Sequence, residues 1–175
     1  MRTKLIITFL FIALTTMGFD CINEDLLVAV NIKGITGTYR VNQGNGAFDS
    51  CKTLTADDYL DPDYTDISDV RIYDIRVSTS GTYAGTINNT TVTLNGSTTL
   101  LTLTSGTTWS YFNTPRSILT DPKIQKNPPG LVALVNAVKH KQTVTLCGSG
   151  SISPTPFPSN LYVTIEVFGQ VDAKP

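Results

Sequence analysis

The densest set of chemically capable side chains in this chain is a run of aspartates: Asp57, Asp58, Asp61, Asp63, Asp66 and Asp69. Six of its 14 acids fall there, within 13 residues. Hard cations are held by clustered oxygens on a bendable backbone, so Asp61, Asp63, Asp66 and Asp69 are the candidate ligands of a weak calcium site. Counted from Asp61, the run lacks the glycine and the glutamate that an EF-hand loop places at its sixth and twelfth positions. The plainer reading, which the composition favours, is a solvated acidic loop whose aspartates cap short turns. No other cofactor is implied.

Cysteine is the second reactive type, present at Cys21, Cys51 and Cys147. An odd count in an oxidising compartment leaves one thiol over. Cys21 stands just past an apolar N-terminal run, where a lipoprotein carries its acylated cysteine. Phe19 and Asp20 before it make a poor acylation signal and favour ordinary cleavage. Either way the arithmetic pairs Cys51 with Cys147, with Cys147 facing away from Val144 and Leu146 towards a covering loop. The rival is a local Cys21–Cys51 bridge with Cys147 free.

Catalytic sets are harder to assemble. His140 is the one histidine, and it sits in a basic cluster with Lys139 and Lys141 at the end of an expected helix, where a solvated capping role is the simpler account. Gly148-Ser149-Gly150-Ser151 has the wrong order for a nucleophile elbow and reads as a flexible strand end. The two glutamates, Glu24 and Glu166, give no evident glycosidase pair, and no phosphate loop, zinc spacing or dinucleotide fingerprint is present. No catalytic or cofactor-binding residue is therefore assigned, and the chain reads as a non-enzyme. Trp109, Tyr111 and Phe112 are grouped either as a stacking platform or, more simply, as rim core.

The elements that must position these groups are mostly strands. Leu26, Val28, Val30 and Ile32 alternate, then Ile35, Gly37, Tyr39 and Val41, as in a strand with one buried face. Residues 47–66 read as irregular. Val70 and Ile72 lie on one parity and Tyr73, Ile75 and Val77 on the other, which predicts a bulge near Ile72–Tyr73. Apolar positions on both parities there and at 26–30 would also suit an enlarged interior. Asn88-Asn89 is a possible hairpin turn and Asn95-Gly96 a stronger one, because that dipeptide suits a type I′ turn. Leu131, Leu134, Val135 and Val138 recur at helical spacing after Asn127-Pro128-Pro129. The sum is a mainly β fold: an antiparallel sandwich of about seven to eight strands with one amphipathic helix, residues 130–140, packed at one end. Its expected core is Val28, Val30, Ile72, Ile75, Val92, Leu101, Leu134, Val144, Val163 and Ile165.

Address follows from the first residues. Arg2 and Lys4 precede an apolar run from Leu5 to Leu14, and small residues at Thr16 and Gly18 suit a signal peptidase. This divides the chain into a signal peptide over 1–18, a tail over 19–25 and a single domain over 26–175. The run is short of the roughly 20 residues a membrane span needs. The mature chain then has 11 cations against 14 acids, a net charge of −3 that excludes nucleic acid as a partner. The expectation is an exported protein, periplasmic, attached to the outer envelope or extracellular, and membrane-bound only through a lipidated Cys21. Its role would be a binding or structural module with an unknown protein partner. The alternative is a carrier of an apolar ligand or lipid in an opened sandwich.

Overall fold

In the computed structural model, which describes residues 27–174 except Lys33, Thr65, Pro158 and Ser159, two antiparallel sheets pack face to face. The signal segment and Cys21 lie outside the described residues. The first sheet is organised around β11 (Tyr162–Lys174). On one side, β1 (Val28–Asn31) pairs with its C-terminal half and β2 (Ile35–Arg40) with its N-terminal half. On the other side runs β4 (Asp66–Ser80), edged by the two-residue β8 (Arg116–Ser117). The second sheet has the order β3 (Ala47–Leu54), β10 (Val144–Ser153), β5 (Thr86–Leu94), β6 (Thr98–Leu103) and β9 (Ile124–Lys126). A short β7 (Thr107–Thr108) also pairs with β5.

Burial follows the pleat. Along β11 every second residue from Val163 to Ala173 is buried, and Ile35, Tyr39 and Val41 face the same core. Each fully buried aliphatic side chain contributes roughly 1.5–3 kcal/mol. Seven of the ten expected core residues are buried; Val28, Val30 and Ile72 are only partly so. The first two lie on β1, an edge strand with β11 alone beside it. Ile72 stands against the predicted bulge, which is present: Asp74 faces Phe168 and Ile72 faces Gly169, so Tyr73 is the extra residue. Apolar residues of both parities in β4 thus reflect a bulge and not an enlarged interior, and Tyr73 itself is 52% exposed.

Three sequence readings need correction. Residues 47–54 are not irregular but form β3, whose edge position leaves Phe48 and Leu54 as its buried residues. Asn88-Asn89 does not turn the chain. It lies inside β5, with Asn89 at φ 48° beside a register shift against β10, which is a bulge. The Gly148–Ser151 segment is mid-strand, because Tyr39 and Phe48 lay their rings over Gly148 and Gly150, where a Cβ would come within 2.7 Å and 2.6 Å of them. Trp109 and Phe112 are fully buried in a 3₁₀ turn (Trp109–Phe112), the simpler core role expected of them and not a stacking platform. Asn95-Gly96 forms the expected tight turn, both residues having positive φ.

Two helices complete the described fold. The short α1 (Ala56–Tyr59) opens on a capping box in which Asp58 accepts from the Thr55 amide at 2.7 Å. Its Tyr59 is buried, with the hydroxyl donating to Gln142 O at 2.5 Å. The longer α2 (Pro128–Lys139) starts with two prolines in its first turn, where no intrahelical donor is lost. It buries Leu134, Ala137 and Val138 and packs against β4 of the first sheet and β6 of the second, so that it spans the two sheets. Gly130 lets that happen: a Cβ there would lie 1.9 Å from Thr99 O. His140 caps the helix, its amide donating to Asn136 O at 3.1 Å, in the solvated position expected of it.

Candidate functional site

The exposed apolar surface of the described residues is concentrated. Leu27, Tyr73, Leu119 and Val132 are its large exposed hydrophobics, and the last three share one groove. The groove, about 190 Å³, is lined by Ile72, Tyr73, Ile118, Leu119, Leu131, Val132 and Val135, with Asp74 at its end. Three separate segments build it. The β4 bulge turns Tyr73 outward next to Ile72. Beyond β8, Ile118 is hung on β4 by its amide, which donates to Ile75 O at 2.9 Å, and the Leu119 amide donates back to Ser117 Oγ of β8 at 3.1 Å. Helix α2 adds Leu131, Val132 and Val135, a second apolar stripe beside the one it buries in the core.

Asp74 joins the groove to a polar cleft of about 470 Å³, whose charged walls are Arg76, Arg116 and Asp121. Arg76 and Asp74 stand on the outer face of the first sheet, two residues apart on β4, and Nε of Arg76 donates to Asp74 Oδ2 at 2.8 Å. Ser117 Oγ donates to the other oxygen at 2.6 Å. Asp121 is likewise fully engaged, accepting from the Lys123 amide at 2.8 Å and the Tyr111 hydroxyl at 2.9 Å. That hydrogen bond to a carboxylate is the main reason the Tyr111 phenol titrates above its ordinary range. Arg116 Nε donates to Tyr111 O at 3.1 Å, and its guanidinium lies 4.5 Å over the Tyr111 ring.

The four proposed calcium ligands are not brought together. Asp61 Oδ1 accepts from the Asp63 amide at 3.3 Å in the turn after α1, which is turn capping. Asp66 opens β4 opposite Lys174, and Asp69 is bonded to Nε of Arg71 at 3.0 Å, a contact that lowers its pKa. Among the described residues no group of three or more histidine, cysteine or carboxylate side chains is placed to hold a metal ion.

Cys51 and Cys147 are disulfide-bonded. As the alternation predicts, Cys147 faces away from Val144 and Leu146, but its partner sits on a neighbouring strand and not in a covering loop. The two are direct cross-strand partners on β3 and β10, 4.0 Å apart at Cα, on the outer face of the second sheet. Such spacing belongs to the closer class of antiparallel pair, where side chains approach without intervening ladder hydrogen bonds.

These features define a class: a disulfide-bridged antiparallel β-sandwich, closed on one side by a helix that shares an apolar groove with a bulged strand. No protein-family model matches the chain, and comparison with curated proteins and with solved structures gives no match either. Sequence patterns alone did not find the groove, because its walls come from segments about 45 and 13 residues apart; the one local signal was the parity switch at Ile72–Tyr73.

Proposed function

We propose that this protein is an exported, non-enzymatic binding module whose groove between Tyr73, Leu119 and Val132 receives an alkyl chain. The observation that carries the reading is that three of the four large exposed hydrophobics of the described residues converge on one groove. Scattered apolar residues are ordinary on a protein surface, whereas a gathered set signals binding. The groove is narrow and bounded by a polar cleft, while a standard protein interface needs roughly 800 Å² on each partner. That favours a slender apolar chain over a flat protein surface. Export is supported by the order of charged, apolar and small residues at the N-terminus and by the Cys51–Cys147 bridge, which suits an oxidising compartment.

The test is titration of the protein with 1-octanol, an uncharged alkyl probe, followed by backbone amide shifts. Shifts confined to Tyr73, Ile118–Leu119 and Leu131–Val135, lost in Val132→Asp with the melting temperature unchanged, support the reading. Absence of saturable shifts in the groove overturns it.

A further inference from the structure

We propose that the ligand of this groove carries a carboxylate head, received by Arg76 and Arg116 in the adjoining cleft; this rests on the alkyl-chain reading above. The cleft is layered by charge. Side chains of Asp74 and Asp121 are 10% and 6% exposed, while those of Arg76 and Arg116 are 49% and 39% exposed. Both acids have their two oxygens occupied by protein donors. They are the more buried members of the two pairs and lie beneath the guanidiniums as anchors. The charged groups that the cleft presents most openly to solvent are therefore the two guanidiniums.

Each guanidinium is held at its inner edge only. Arg76 bonds through Nε to Asp74 and stacks 4.7 Å over the Phe168 ring. Arg116 bonds through Nε to Tyr111 O and stacks on the Tyr111 ring. Among the described residues no hydrogen bond is made by the Nη atoms of either arginine. A fork fixed at Nε and by stacking loses little side-chain freedom when its outer edge takes up a planar, bidentate acceptor. Such charge-assisted bonds are the stronger kind. Because Asp74 borders both spaces, a head in the cleft and a chain in the groove are contiguous. An alkyl carboxylate matches this pairing of a donor-rich cleft with an apolar trough.

The experiment compares octanoate, 1-octanol and acetate by calorimetry and amide shifts on the intact mature protein. Octanoate is expected to bind about tenfold more tightly than octanol, the margin of one charge-assisted hydrogen bond. That margin should shrink with added salt. The paired variant Arg76→Gln, Arg116→Gln should abolish it and leave octanol binding unchanged. The milder Arg76→Lys, which keeps a charge but loses the fork, should reduce it in part. Equal binding of octanol and octanoate overturns the head-group assignment and leaves the groove standing. Octanoate binding that survives the double variant also overturns it. Failure of both alkyl probes overturns the groove reading itself.

Discussion

Replacing both Cys51 and Cys147 by serine should cost about 4–5 kcal/mol of stability. The two residues are 96 apart in sequence, and the chain-entropy relation for a loop of that length gives about 4.7 kcal/mol at room temperature. The site makes this an unusually clean measurement. Cys51 is exposed and Cys147 half-buried on the outer face of the second sheet, so serine leaves no cavity between the sheets. The β3–β10 register runs from Val144–Leu54 to Ser151–Ala47, so the strands remain paired without the bridge. For a domain of this size, a loss near 4.7 kcal/mol corresponds to a fall in melting temperature of about 10–20 °C. Thermal and urea denaturation of the oxidised wild type, the reduced wild type and the double serine variant would measure it. The reduced wild type and the variant should agree. A fall of less than about 3 °C in both would refute the premise that the bridge restrains the unfolded chain. A large fall in the variant without one on reduction would instead assign the cost to the substitutions.

Two further outcomes follow from buried groups. Tyr39 is buried between the sheets, its hydroxyl donating to Leu146 O at 3.1 Å, and burial pushes its pKa up to about 12 from 10. The neutral form is thus favoured in the fold, so this stability is complete below pH 10 and is lost as pH rises from about 10 to 12, by roughly 2–3 kcal/mol. In alkaline melts Tyr39→Phe should remove that increment of pH dependence while lowering stability at neutral pH through the lost hydrogen bond; an identical alkaline profile in the variant would refute the assignment. Gly130→Ala, which raises helix propensity by about 1 kcal/mol at an ordinary site, should instead destabilise by about 1–3 kcal/mol because its methyl meets Thr99 O. A higher midpoint in urea would contradict that packing.

Much of the fold was legible because one side of most strands is buried. The alternation in 35–41 and 161–167, the Asn95-Gly96 turn, the α2 periodicity and the Tyr73 bulge are all local consequences of one face meeting a core. What escaped was what is not local. Strand β3 has no alternating pattern, since five of its eight residues face solvent. The Asn88-Asn89 pair carries the same preference for positive φ whether it makes a turn or a bulge, and only the β10 partner decides between them. Cys51 and Cys147 were paired by counting, while their strand adjacency required the register. The groove and the Arg76–Arg116 cleft were invisible for the same reason: Tyr73, Leu119 and Val132 acquire meaning only once β4, the loop after β8 and α2 are side by side.

The topology also sets an order on folding. Each sheet has one of the last two strands in its interior: β10 joins β3 to β5, and β11 joins β1 and β2 to β4. A nascent chain that has reached residue 140 can close the β5–β6 hairpin and wind α2, but β1 through β4 have no hydrogen-bonding partner along their main ladders until residues 144–174 arrive. Both sheets thus depend on contacts of high sequence separation, which form slowly and late. Until residues 144–174 are present neither sheet has its central strand, so the two sheets can be completed only together and last.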